Sequence, residues 1–150
     1  MGKVQGVVEM SSITYRKGYK YQIAEDYTLS GLSFPMGKMH LNDFLEIGPT
    51  FITLNYGYAT DGPSWPAIDT DTFMRGAFIH DGCYQAIRMG WLPESAREYC
   101  DRLLRQICLA DGMNPLRAWW VYKGLRVGGG KAADPSNVKV VLSAPTVDHS

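Results

Sequence analysis

A chain of 150 residues, 45% of them hydrophobic and 20% charged, can bury one sizeable core, which argues for one domain rather than two. Fifteen basic residues balance fifteen acidic ones, so no global field gathers nucleic acid or anionic membrane over long distances, and nucleic acid is not an expected partner. No segment approaches the ~20 apolar residues of a membrane span, and Met1 to Tyr15 offers no apolar run long enough for a secretion signal; synthesis and folding in the cytoplasm are expected.

The first sixty or so residues are rich in β-branched and aromatic types and are broken by Gly and Pro, which predicts short antiparallel strands and hairpins. Strands are expected over Lys20 to Leu29 and Phe51 to Tyr58, with Gly48-Pro49 as the turn before the second. There, Ile52, Leu54 and Tyr56 alternate with Phe51, Thr53 and Asn55, the period of two of a sheet with one better-buried face. Ala59 to Pro66 contains Gly62, Pro63 and Pro66 and reads as an ordered loop that Trp65 can pin.

Three helices are predicted next, giving an α+β class. The first starts near Thr70 or Thr72, carries Phe73, Ala77, His80, Tyr84 and Ile87 on one continuous face, and ends at Gly90. The second opens at Pro93 with Ser95 and Glu98 in capping-box spacing, runs through Tyr99, Leu103, Ile107 and Ala110, and stops at Gly112. The third begins at Asn114-Pro115 and includes Leu116, Trp119, Trp120 and Leu125. Gly128-Gly129-Gly130 then marks the end of the domain at residue 128. Residues 129–150 are expected to be a glycine-hinged tail in which Val138 to Leu142 form an edge strand or no regular structure.

His80 sits at the centre of an apolar helix face, where a ring removed from water needs a partner. Asp101, on a flank of the second helix with Leu104 and Cys108, can accept the imidazole N–H and fix its tautomer, the orienting half of a catalytic dyad. Tyr84, one turn after His80, can place its hydroxyl on the same carboxylate. His80, Asp81, Tyr84 and Asp101 are thus expected as one polar cluster between two packed helices. Asp81 lies about 100° around the helix from His80 and needs its own partner. One candidate is a calcium ion shared with the Tyr56 to Ser64 loop, because hard cations prefer carboxylate, carbonyl and water oxygens.

The run Ile79-His80-Asp81-Gly82-Cys83-Tyr84 resembles the His-Asp-x-Cys-Tyr motif of secreted phospholipases A2, and Asn55-Tyr56-Gly57 stands where those enzymes begin their calcium loop. The likeness covers about fifty residues, from Tyr56 to Cys108. It implies a phospholipase A2-like helix pair, His80 as the base acting on water, Asp101 as its orienter, Tyr84 steadying the dyad, and calcium at Asp81 with Asp61 and Gly62. Phospholipid or another ester would be the substrate. That family's glycine-rich loop and disulfides are absent, since Thr60 to Ser64 has one glycine and a carboxylate.

Over a longer stretch, roughly residues 20 to 128, the chain is similar to an uncharacterised phage and prophage group, domain-of-unknown-function family 1353. The elements of the likeness are Thr60, Asp61, Ser64, Pro66, His80, Asp81, Tyr84, Asp101, Tyr122 and Arg126, in that order. It implies a phage or prophage setting, with virion incorporation or a lysis role and phage structural proteins as partners. Thr60, Ser64 and Trp65 then become candidates for a substrate or loop role.

Plainer readings stand beside these. His80 alone is a satisfied core histidine; the company of Asp81, Tyr84 and Asp101 is what turns it toward function. Asp81 can hold loop amides instead of a metal, and Asp61 can be an Asx-turn residue before Gly62. Trp119 and Trp120 read as core plus rim more readily than as a membrane edge. The three cysteines read as reduced buried thiols, with a Cys83 to Cys100 bridge open if the helices pack, and a cysteine nucleophile lacks an uncommitted histidine. His40 and His149 have no spacing that builds a zinc site with His80. The same chemistry also fits cell-wall hydrolysis, and a non-enzymatic virion or accessory protein would keep the cluster as a rigid polar staple.

Overall fold

The computed structural model describes residues 11–16, 21–60 and 71–128, and it has antiparallel strands in the first half followed by three helices, an α+β protein. The predicted Lys20 to Leu29 strand is two strands in different sheets. β2 (Tyr21–Ile23) pairs with β1 (Tyr15–Arg16), whereas β3 (Tyr27–Ser30) belongs to a second sheet. The break falls at Ala24 to Asp26, where the Asp26 carboxylate leaves the ladder to accept the Tyr56 N–H at 2.7 Å.

The second sheet has the order β3-β6-β5-β4, with β4 (His40–Leu41), β5 (Leu45–Gly48) and β6 (Phe51–Leu54) all antiparallel. Gly48 pairs with Phe51 across the expected turn, and a Cβ at Gly48 would run into the Phe51 ring. Ile52 and Leu54 are buried as the alternation predicts, but Tyr56 is 57% exposed. The predicted strand ends at Leu54 because Gly57, at φ +92°, turns the chain. The Gly57 N–H then donates to Ile23 and the Tyr58 carbonyl accepts from the Ile23 N–H, feeding β7 (Ala59–Thr60) into the first sheet, beside β2. Tyr58 is thereby swung into the core.

α1 (Asp71–Arg88) lies between the second sheet and α2 (Arg97–Ala110). Two glycines permit this. A Cβ at Gly82 would press on Leu54, Ile52 and Leu45 at 3.0–3.3 Å, and one at Gly76 on Leu104 and Cys108 at 2.8 and 3.1 Å. α1 and α2 run antiparallel, His80 opposite Asp101 and Gly76 opposite Leu104. Gly90 ends α1 and Gly112 ends α2, each with a positive φ and the paired backbone bonds of a Schellman stop: Trp91 N–H to Ala86 and Gly90 N–H to Ile87, then Met113 N–H to Cys108 and Gly112 N–H to Leu109.

The expected capping box of Ser95 and Glu98 does not form. Pro93 starts a 3-10 turn, Glu94–Ala96, that runs straight into α2, so no open helix end remains at Ser95, and Glu98 pairs with Arg102 instead. Asn114 does cap α3 (Pro115–Gly128), its side-chain oxygen accepting the Leu116 N–H at 2.9 Å. α3 packs on α2 through Ala118, Val121 and Leu125. Trp119 and Trp120, expected to divide between core and rim, are both exposed. All three cysteines are buried free thiols, so the Cys83 to Cys100 bridge is not formed. The Thr70 cap, the Trp65 pin and the tail from Gly129 lie outside the described residues.

Candidate active site around Asp101

Asp101 has no exposed surface, and its two oxygens collect donors from all three helices. Oδ1 takes His80 Nε2 at 2.8 Å and the Tyr84 hydroxyl at 2.5 Å; Oδ2 takes Arg126 Nη1 at 2.7 Å, with Arg97 Nη1 at 3.8 Å. The second arginine is itself held by α3, because its Nη1 donates to the Leu125 carbonyl at 3.0 Å. α1 supplies His80 and Tyr84 one turn apart, so both reach one carboxylate and their rings lie 4.0 Å apart. The predicted imidazole, phenol and carboxylate are therefore brought together.

With a carboxylate as acceptor, the proton of the neutral imidazole sits on Nε2 and the lone pair on Nδ1. The His80 side chain is 12% exposed, so the ring is at the edge of the buried network and not inside it. Burial drives the Tyr84 hydroxyl far above the ordinary tyrosine value, and the hydrogen bond to Asp101 and that carboxylate's charge push in the same direction. Tyr84 is a permanent donor to Asp101 over any physiological pH.

Asp81 does not join this cluster. One residue on from His80 it faces the strand side, where the Tyr58 hydroxyl donates to its Oδ2 at 2.7 Å. The expected single cluster is therefore two neighbouring centres on α1, split by the turn angle of the helix. Burial, followed by the Asp81 charge and the hydrogen bond itself, pushes the Tyr58 hydroxyl well above its usual value, so it too stays a donor. Among the described residues no three His, Cys, Asp or Glu side chains come together, and Asp81 supplies one carboxylate where calcium takes about six to eight oxygens. The described residues alone do not make a calcium site. Thr60 pairs with Tyr21 at the end of β7, while Asp61, Gly62, Ser64 and Trp65 lie outside the described residues.

Arg97 and Tyr58 were not read from the sequence as parts of the site, and Arg126 entered only through the phage likeness. Tyr58 was legible in principle, since a carboxylate facing a strand needs a donor there; Arg97 also carries a signal, standing one helical turn before Asp101. The other histidine among the described residues, His40, stacks on Trp91 with ring centroids 5.5 Å apart and joins no metal-binding group there. Compared with models of known families, with curated proteins and with solved structures, the chain finds no match.

Proposed function

We propose that the chain is a hydrolase in which His80, oriented by Asp101, activates water against an ester, with phospholipid as the leading substrate class. The observation that carries this reading is the His80 Nε2 to Asp101 Oδ1 bond at 2.8 Å, on a fully buried carboxylate, by an imidazole that still reaches the surface. In the reaction Nδ1 accepts a proton from water as the water oxygen bonds to the ester carbon. Asp101 holds the ring and offsets the imidazolium charge. The proton then passes from Nδ1 to the leaving alkoxide as the carbon–oxygen bond breaks. Tyr84 and Arg126 fix the carboxylate and never touch the substrate.

The sequence likeness of Ile79 to Tyr84 to the phospholipase A2 motif supports this reading, and the likeness to the phage group supplies the setting we propose for it, a phage virion or lysis role. Cell-wall material is the second substrate class. Calcium is carried as an arm of the test, with Asp81, Asp61 and Gly62 as the proposed ligands.

A second reading, a non-enzymatic staple in a phage structural or accessory protein, is favoured by one observation: Asp101 is already saturated by Tyr84, Arg126 and His80, which tie three helices together. His80→Gln separates the readings because the glutamine amide can replace the Nε2 donor while removing the base. The hydrolase reading expects normal unfolding and a rate loss of roughly 10²–10⁴ on phospholipid or a generic ester, measured with calcium and with a chelator. Equal background rates in folded parent and variant would sink it and leave the staple.

A further inference from the structure

α3 is apolar on two opposite sides. At about 100° per residue, Ala118, Val121 and Leu125 share a narrow arc turned to the core, while Leu116, Trp119, Trp120 and Val127 fall within an arc of about 100° on the other side. Those four side chains are 65%, 42%, 65% and 88% exposed. A helix with a buried face needs a polar face opposite it, and this one places two indoles and two aliphatic chains there. Lys123 lies in the middle of the same arc, its ammonium 5.7 Å from the Trp119 ring.

The charges on α3 choose the occupant. Arg117, Lys123 and Arg126 are its ionic residues and none is acidic. A second copy docking by the same face would set the two Lys123 ammoniums near one another, and an isologous contact has to be self-complementary. An anionic lipid surface meets the same pattern favourably: tryptophan rings settle at the headgroup level and lysine reaches the phosphates. With 14 residues, α3 is too short to span a bilayer, and no helix among the described residues is long and apolar enough to do so.

We infer that the outer face of α3 docks on anionic phospholipid bilayers, with Trp119 and Trp120 at the headgroup boundary and Lys123 on the phosphates. The helix lies along the surface. Arg126, on the same helix, holds Asp101, so the docking helix is tied directly to the carboxylate that orients His80. The docking itself is independent of the hydrolase reading.

The test is co-sedimentation of the full chain with vesicles of ether-linked phosphatidylcholine, with and without ether-linked phosphatidylglycerol, which no esterase alters. The expected result is binding to the anionic vesicles that weakens with salt, with indole emission quenched by brominated lipid. Trp120→Ser should lower partition about tenfold, in line with the loss of one large buried side chain, and Lys123→Gln about fivefold. Both variants keep the parent's unfolding temperature because their side chains are exposed. His80→Gln should bind as the parent does, so failure of hydrolysis with intact binding counts against the hydrolase alone, and failure of binding with intact cleavage of a soluble ester counts against docking alone. No binding, unchanged binding by Trp120→Ser, or a concentration-dependent dimer that Trp120→Ser dissociates would overturn the inference.

Discussion

Asp101 is tolerated without exposed surface because each oxygen meets donors, and two of its neighbours, Arg97 and Arg126, are cations. Replacing it with Asn keeps the shape and strands the charges. Removing one partner of a buried pair costs roughly 3–5 kcal/mol, and the lower end applies here because the guanidiniums are 21% and 28% exposed and recover some hydration. Asp101→Asn should therefore lose about 3 kcal/mol in urea unfolding; a loss of under about 1 kcal/mol would show that the carboxylate is not the hub we describe. The two buried phenols give a pH signature. An unfolded tyrosine ionises near pH ~10, while folded Tyr58 and Tyr84 hold their protons to higher pH, chiefly through burial. Above pH ~10 the folded state binds protons that the unfolded chain has released, so the stability they contribute is whole below that pH and falls above it, by about 1.4 kcal/mol per pH unit for each phenol. Tyr84→Phe should flatten the alkaline limb of the stability curve by one such slope, read from urea midpoints; an unchanged limb would place the ionisation elsewhere.

At the scale of elements, α1 is positioned by what its glycines lack. Gly76→Ala drives a methyl against Leu104 and Cys108, overpacking that costs roughly 1–3 kcal/mol against about 1 kcal/mol gained in helix propensity. Gly128→Ala at the end of α3 meets nothing within 4 Å. The same substitution should thus lower the unfolding temperature at position 76 and leave it level or raised at 128; equal shifts would mean that α1 and α2 are not in close approach there. These contacts also explain what could be read beforehand. Helix limits at Gly90 and Gly112 were legible because a left-handed stop is written in one residue. His80, Tyr84 and Asp101 were legible because a helical repeat and a polar residue in need of a partner are both local signals. The split at Ala24 to Asp26 was not: it follows from Asp26 capturing the Tyr56 N–H, a contact between residues 30 apart that no period records. The capping box failed for a related reason, since Ser95 and Glu98 have the right spacing and only Pro93's extended entry into a 3-10 turn removes the helix end they would cap.

The described residues are held by two apolar clusters that share α1 and α2, one against the second sheet and one under α3, and a polar hub sits at each end of the α1–α2 interface. The hub opposite Asp101 is Arg75, 2% exposed, whose Nε and Nη2 grip Asp111 at 3.0 and 2.7 Å while Nη1 donates to Tyr27 and Ser11 at 2.9 and 3.2 Å. It joins the N-terminal segment, β3, α1 and the end of α2, four pieces that the apolar cores only partly connect. Every donor of that guanidinium facing the interior has a partner, which is the condition under which a buried ion pair is tolerated at all. Arg75→Met leaves Asp111, only 10% exposed at its side chain, without its counter-ion, and should cost roughly 3–5 kcal/mol. If the loss comes from the stranded carboxylate, Arg75→Met with Asp111→Leu should recover most of it, because an apolar pair of similar volume removes the unpaired charge. If it comes instead from the lost ties to Tyr27 and Ser11, the double variant stays as unstable as the single one. Urea unfolding of the two variants decides between them, and ester hydrolysis by the double variant adds a second reading: Arg75 touches none of the groups around Asp101, so a folded double variant should keep the parent's rate.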